Sequence, residues 1–214
     1  MQDKKLIREL KEARVIPILT LEKSEYAIPV VEAIASAGIK AVEITLRTES
    51  ALKSLKVVRE KFPNMLLSAG TVLTVEQLKS VIDAGVNYAV APGFNRKVVD
   101  VSISKDFPFF PGVCTPSDIT SAVELGIDVL KFFPAEAVGG VKMLKAIYGP
   151  YEHLGLKFIP TGGINKDNIK GYLSLPYVLA CGGTWLAEES MIDNKEWDKI
   201  RILCSQAVAN IEKI

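Results

Sequence analysis

The sequence has one histidine, few cysteines and no CxxC pair. Most zinc enzymes use two or three histidine ligands, so a histidine-rich metal site is excluded, and His153 is expected to lie in a polar loop. Cys114, Cys181 and Cys204 are far apart and odd in number, which argues against a disulfide framework. We predict that all three cysteines are reduced.

An excess of one charge is also missing, as is any long hydrophobic run. The 214 residues carry 26 Lys and Arg against 25 Asp and Glu, so neither a nucleic-acid surface nor a membrane surface is indicated. The N-terminal segment has no signal-type apolar core, and no stretch approaches the ~18 apolar residues of a membrane span. We expect a cytoplasmic protein with one domain over residues 1–214 and small molecules as its partners.

Short apolar runs alternate with amphipathic segments along the whole chain, which is typical of βα units around a parallel sheet. Helical patterns such as 24–37, 49–61 and 75–84 follow the runs, and a last helix is predicted over 195–212. An extra helix over 3–12 precedes the first strand. The predicted strands are 15–19, 41–46, 66–69, 88–91, 109–112, 129–132, 158–161 and 178–181.

Residues that end or begin helices fall between these segments. The expected helix-ending glycines are Gly38, Gly85 and Gly126, and the expected N-caps are Thr74, Ser117 and Asn165. Eight βα units in this length predict a (β/α)8 TIM barrel with an extra N-terminal helix. The alternative is a doubly wound open sheet, which would normally carry a GxGxxG turn where residues 20–23 read Thr-Leu-Glu-Lys.

Two ionisable residues lie inside predicted strands. Because strand side chains alternate, Glu43 shares the inward face with Ala41 and Thr45, and Lys131 shares it with Val129. Burial of either charge alone would cost several kcal/mol, so one interpretation is an internal ion pair that only neutralises both charges. The other is an active site, since ionisable groups near a barrel mouth commonly mark one.

The two side chains fit a nucleophile and its proton-transfer partner. Burial among apolar neighbours favours the neutral amine of Lys131, which is the form that attacks a ketone. The carboxylate of Glu43 can move the protons that imine chemistry requires. Arg47 follows the second strand at the barrel mouth, where it is either a carboxylate clamp or a surface arginine.

Paired glycines follow the seventh and eighth strands. Gly162-Gly163 and Gly182-Gly183 stand just before helix starts, so their backbone N–H groups can face one point, the usual phosphate site of a barrel. Thr71, after the third strand, adds a hydroxyl at the mouth.

The segments that hold these residues resemble the bacterial 2-keto-3-deoxy-6-phosphogluconate (KDPG) and 4-hydroxy-2-oxoglutarate (KHG) aldolases, from Arg14 almost to the C-terminus. The most specific segments are Val-Glu-Ile-Thr-Leu-Arg-Thr at 42–48 and Lys-Phe-Phe-Pro-Ala-Glu at 131–136. The similarity also covers 14–17, 68–73, 160–164 and 182–186.

The resemblance implies a role for each matching residue. Lys131 is implied to form the Schiff base, with Glu43 as general acid and base. Arg47 and Thr71 are implied to hold the pyruvate carboxylate, while Thr161 helps to decide which face of the aldehyde reacts. The implied phosphate ligands are Gly162, Gly163, Gly183 and Thr184, and Arg14 and Pro92 are further candidates for the pocket.

One departure is Thr184, where many relatives have serine and the threonine adds a methyl group. The resemblance further implies a homotrimer, no metal or other cofactor, and a place in the Entner–Doudoroff pathway of carbohydrate metabolism.

The expected reaction is reversible cleavage of KDPG to pyruvate and glyceraldehyde 3-phosphate, and of KHG to pyruvate and glyoxylate. Two alternatives stay open. One is a phosphosugar isomerase or epimerase in which Glu43 is the base and Lys131 only polarises a carbonyl. The other is a barrel that binds a phosphorylated ligand without turnover. The sequence does not decide between gluconate-derived, galactonate-derived and unphosphorylated substrates.

Overall fold

Parallel strands and covering helices alternate along residues 4–211, the part of the chain that the computed structural model describes. The strands are β1 (Val15–Leu19), β2 (Ala41–Thr45), β3 (Leu66–Gly70), β4 (Tyr88–Val90), β5 (Phe109–Phe110), β6 (Gly112–Val113), β7 (Val129–Phe132), β8 (Lys157–Pro160) and β9 (Cys181–Gly183). The helices are α1 (Lys4–Ala13), α2 (Ala27–Ser36), α3 (Ala51–Lys61), α4 (Val75–Asp83), α5 (Arg96–Ser104), α6 (Pro116–Val123), α7 (Gly140–Tyr148), α8 (Ile169–Leu173), α9 (Glu189–Asp193) and α10 (Trp197–Ile211), with 3₁₀ turns at Ser24–Tyr26 and Gly149–Leu154.

The strands form two parallel sheets rather than one continuous ring. The larger has the order β5-β4-β3-β2-β1-β9, and the smaller has the order β6-β7-β8. The α/β class is therefore confirmed, whereas the hydrogen bonding does not show a closed eight-stranded barrel. Pro111 causes the break: it has no N–H to donate, so the predicted strand 109–112 divides into β5 and β6, which pair with different sheets.

Several predicted boundaries shift for local reasons. The strand predicted at 178–181 is Cys181–Gly183, because pairing with β1 starts at Val15 and Cys181, and Val178 makes only an isolated bridge to Phe158. The helix predicted at 24–37 opens as a 3₁₀ turn. His153 lies in the second 3₁₀ turn and not in a loop. Asp3 and Glu212, where two helices were predicted to start and end, lie outside the described residues.

The helix-capping predictions are partly confirmed. Gly38, Gly85 and Gly126 take positive φ after α2, α4 and α6, and Thr74 forms a capping box with Gln77. The predictions for Ser117 and Asn165 are wrong. Pro116 occupies the first turn of α6, so Thr115 is its N-cap; α8 begins after Asn168, and Asn165 instead accepts hydrogen bonds in the preceding turn.

Side-chain alternation separates two apolar clusters. Ala41 and Val129 belong to an inner cluster, which Leu6 and Leu10 of α1 join. Val42, Ile44, Leu130 and Phe132 instead belong to the larger cluster under the helices. The residues of β2 and β7 therefore divide between the two faces as predicted, and α1 packs on the inner cluster.

None of the helices in residues 4–211 combines the length and apolar character that crossing a membrane requires.

Cys114, Cys181 and Cys204 are all free thiols, as predicted. Burial raises the pKa of the Cys204 thiol to about 12, which keeps it protonated and unreactive at neutral pH.

Candidate active site

A buried amine and a buried carboxylate meet between β2 and β7. Lys131 Nζ donates to Glu43 Oε1 over 3.1 Å, and the two side chains are only 7% and 5% exposed. Both point inward because their neighbours two residues earlier, Val129 and Ala41, belong to the inner cluster. An ion pair desolvated to this degree is a poor source of stability, so its position calls for a chemical explanation.

The pair opens into a cavity of about 310 Å³ at the carboxyl ends of the strands. Most of the site residues predicted from the sequence line this cavity. They are Glu43, Arg47, Thr71, Pro92, Lys131, Thr161, Gly162, Gly163, Gly183 and Thr184. The cavity wall also includes Ile18, Thr45, Phe133 and Ile164, which were not predicted as site residues. Residues from separate strand ends thus converge on one space, as is usual for sites on parallel α/β folds.

Arg14 does not line this cavity. It precedes β1, and its carbonyl oxygen accepts a hydrogen bond from the Cys181 N–H over 2.8 Å. Because the strands are parallel, the start of β1 lies at the edge opposite the cavity. The expectation that Arg14 contributes to the pocket is corrected accordingly.

The end of β3 is shaped around the carboxylate. A Cβ atom at Gly70 would overlap Oε1 of Glu43, so glycine leaves the space that the carboxylate fills. The next residue, Thr71, has φ 60°, a backbone conformation that is strained for a β-branched side chain. Such strain is common at functional sites, and here it accompanies a hydroxyl residue on the cavity wall.

The glycine turn after β8 is held by the Lys-Phe-Phe-Pro-Ala-Glu segment. Gly182 and Gly183, predicted as a second turn, instead form part of β9. The N–H of Ala135 donates to the carbonyl of Thr161 over 2.8 Å, and the N–H of Glu136 donates to that of Gly162 over 3.0 Å. A Cβ at Gly163 would lie 2.7 Å from Cβ of Glu136, so the turn after β8 packs tightly against the turn after β7.

Glu136 is itself fixed by a buried hydroxyl. The Tyr172 hydroxyl donates to its carboxylate, and burial together with this carboxylate raises the pKa of Tyr172. The phenol therefore stays protonated as a donor at neutral pH. Through Glu136, the Lys-Phe-Phe-Pro-Ala-Glu segment positions the glycine turn that carries Gly162 and Gly163.

Arg47 lies at the mouth of the cavity beside an unpredicted partner. Its Nη1 atom is 3.9 Å from Oε1 of Glu189, and both side chains are more than half exposed. A pair of this kind contributes at most about 1 kcal/mol, so the guanidinium can turn to a carboxylate ligand at low cost. Sequence reasoning could not find Glu189, because it reaches Arg47 from the start of α9.

An aromatic ring also lies beside Lys131. Nζ lies 5.6 Å from the centroid of the Phe133 ring, within the range of a cation–π contact. Within residues 4–211, no group of three or more His, Cys, Asp or Glu side chains lies close enough together to hold a metal ion. The groups gathered here, an amine, a carboxylate, a guanidinium and a glycine turn, suit nucleophilic attack on a carbonyl of an anionic substrate.

A parallel α/β fold with a lysine and a carboxylate in one cavity at the strand ends defines an enzyme of the lysine-nucleophile class. The chain belongs to the KDPG and KHG aldolase family, whose model matches residues 6–203.

Curated relatives and solved structures agree with this family. The chain is 40% identical over 203 residues to 2-dehydro-3-deoxy-phosphogluconate aldolase of Haemophilus influenzae, with 95% of each chain covered. It is 37% identical to the KHG/KDPG aldolase of Escherichia coli K12, covering 91% of this chain and 90% of the relative. KDPG aldolase from Legionella pneumophila, solved with pyruvate captured as a covalent carbinolamine, has a TM-score of 0.90 and 39% identity, covering 94% of this chain and 97% of that one.

Proposed function

We propose that this chain is a class I aldolase that reversibly cleaves 2-dehydro-3-deoxy-6-phosphogluconate to pyruvate and glyceraldehyde 3-phosphate. The observation that carries the proposal is the buried contact of 3.1 Å between Lys131 Nζ and Glu43 Oε1 inside the cavity. The names of the relatives and the carbinolamine captured in the Legionella enzyme support the same chemistry.

Each covalent step uses the lysine and the carboxylate together. The neutral amine of Lys131 adds to the C2 ketone, and loss of water from the carbinolamine gives a ketimine. Glu43 then takes the C4-hydroxyl proton through a water molecule, the C3–C4 bond breaks, and its electron pair moves into the iminium to give an enamine. Protonation of the enamine at C3 and hydrolysis release pyruvate and restore the free amine.

The proposed binding mode assigns each group on the cavity wall to one part of the substrate. Arg47 and Thr71 hold the carboxylate of the pyruvyl end beside Lys131, and Thr161 contacts the reacting aldehyde face. The phosphate lies between the glycine turn after β8 and the end of β9, with Gly162, Gly163, Gly183 and Thr184 as ligands. Pro92 forms part of the wall. All of these residues line the same cavity, which supports the assignment.

A second substrate belongs to the same proposal. 4-Hydroxy-2-oxoglutarate offers the same ketone, C4 hydroxyl and carboxylate, so the enzyme also cleaves it to pyruvate and glyoxylate. The name of the Escherichia coli relative supports this dual use.

The architecture that we propose is one domain over residues 1–214 with the two sheets joined as a (β/α)8 barrel. In support, β5 and β6 are separated only by Pro111, and a bridge joins Thr161, directly after β8, to Gly182 of β9. A cytoplasmic homotrimer that needs no cofactor completes the proposal.

Pyruvate release by the wild-type enzyme and by Lys131→Ala tests this function. With KDPG as substrate, Lys131→Ala is expected to lose about a thousandfold or more of kcat, because no other amine can form the imine. Lys157→Ala, which alters a partly buried lysine at the start of β8, is the matched control and retains activity. Background release by wild type and Lys131→Ala alike would contradict the proposal and favour a binding protein.

A further inference from the structure

The inner layer below the ion pair contains two further polar side chains. Glu43 of β2 pairs in register with Ser68 of β3, and Ser68 pairs in register with Tyr88 of β4. Ser68 is fully buried, and Tyr88 belongs to the inner apolar cluster. Three neighbouring strands therefore place a carboxylate, a hydroxyl and a phenol side by side.

The Tyr88 hydroxyl is buried without a hydrogen bond to any atom of residues 4–211. Its ring packs on Phe110, with the ring centroids 5.1 Å apart, and a phenylalanine would make the same contact. A buried hydroxyl without a partner destabilises the fold, so packing alone does not explain why this residue is tyrosine.

The phenol is a protonated donor that feels the charge of Glu43. Burial raises the pKa of Tyr88; the neighbouring Ser68 hydroxyl opposes the rise, and the negative charge of Glu43 adds to it. Ser68 already donates to the carbonyl of Val42 over 3.3 Å. Tyr88 thus lies one strand beyond Ser68 in the row that begins at Glu43, and its hydroxyl has no hydrogen-bond partner among residues 4–211.

During the reaction, the Glu43 carboxylate needs a hydrogen-bond donor that Tyr88 can supply. In the free enzyme, Glu43 Oε1 accepts from Lys131 Nζ. Lys131 Nζ loses N–H donors when it becomes the nitrogen of the ketimine, and Glu43 must turn from it to accept the C4-hydroxyl proton, so the buried carboxylate needs another donor before cleavage. Of the other groups that face Glu43, Arg47 is at the mouth, where it holds the substrate carboxylate in the proposed function.

We propose that Tyr88 is a positioning residue for Glu43, whose hydroxyl donates to the carboxylate once Lys131 is covalently bound to substrate. The inference rests on the proposed aldolase function and adds a residue to it. The donor keeps Glu43 ionised and aligned with the C4-hydroxyl proton. It acts through Glu43 and does not touch the substrate.

The pH dependence of kcat distinguishes this role from a structural one. A hydrogen bond to the carboxylate favours its ionised form, so without the phenol Glu43 keeps its proton to higher pH. Cleavage needs the ionised carboxylate, and the acid limb of kcat in Tyr88→Phe should therefore move to higher pH by about half a unit to one unit. On that limb, kcat falls by about threefold to tenfold.

The test compares wild type, Tyr88→Phe and Tyr177→Phe for pyruvate release across pH, together with their Tm values. Tyr177 is a buried tyrosine that stacks on Tyr148 outside the cavity, so its hydroxyl serves as the matched control. We expect the shifted limb in Tyr88→Phe alone, with an unchanged KM and a Tm no lower than wild type, because the hydroxyl removed had no partner.

Either of two results would overturn this inference and leave the proposed function intact. One is an acid limb of kcat at the same pH in Tyr88→Phe as in wild type, and the other is an equal shift of that limb in Tyr177→Phe. A wild-type enzyme that releases no pyruvate would overturn the proposed function and this inference with it. The wild-type rate therefore separates the two failures.

Discussion

Glycine at position 70 allows a carboxylate to occupy the centre of the site. Its backbone is not in the left-handed region, so the residue is not required by conformation. The requirement is space, since a Cβ there would overlap Oε1 of Glu43, the atom that accepts from Lys131. At the residue scale, the absence of one methyl group fixes the geometry of the reacting pair.

Gly70→Ala tests this requirement directly. The added methyl is expected to displace the Glu43 carboxylate and to lower kcat about a hundredfold or more, because small misplacements of a catalytic group are costly. Gly171→Ala in α8 is the control, since its Cβ would meet only a Val141 methyl at 3.4 Å. Wild-type kcat in Gly70→Ala would show that the carboxylate has room to move without loss of function.

The two reacting residues could be placed from sequence because strand alternation is a local property. Glu43 and Lys131 each face inward by the positions of their own strand neighbours, and the structure brings them together. Other parts of the site depend on tertiary contacts. Glu189 comes from α9 to meet Arg47. Arg14 was taken from the family resemblance, although its place directly before β1 puts it at the edge opposite the cavity.

At the scale of elements, β1 and β7 begin and end at the predicted residues, while the strands at the edges of the two sheets do not. An apolar run at 178–181 is typical of a strand, but pairing with β1 selects Cys181–Gly183, whose glycines carry no strand signal. Helix starts show the same limit. Thr115 and Ser117 both carry a hydroxyl that is typical of an N-cap. Thr115 is the N-cap of α6 because Pro116 already occupies the first turn.

Substitution of the two hydroxyl residues measures this difference. Thr115→Ala removes the oxygen that accepts from the Asp118 N–H over 3.2 Å, and it should lower the free energy of unfolding by about 1 kcal/mol. Ser117→Ala lies within the first turn and should change it by less than about 0.5 kcal/mol. Urea titration of both variants checks the assignment; an equal loss in Ser117→Ala would contradict it.

At the scale of the whole molecule, the two ends of the strands have different tasks. Leu6 and Leu10 of α1 add to the apolar interior, whereas the polar cavity lies at the carboxyl ends. Within residues 4–211, Lys131 is the one buried basic residue, and the other lysines are at least partly exposed. The described part of the fold thus holds a single buried amine, and it lies on the wall of the cavity where it can reach a bound ketone.

Borohydride reduction in the presence of pyruvate tests this central claim most directly. The neutral amine of Lys131 should condense with the ketone, and reduction of the imine fixes one pyruvyl group that mass spectrometry of the digested protein locates. We predict the adduct on Lys131, none in Lys131→Ala and none on the exposed lysines. An unmodified Lys131 in an enzyme that binds pyruvate would contradict the Schiff-base mechanism and favour a barrel in which this lysine only polarises a carbonyl.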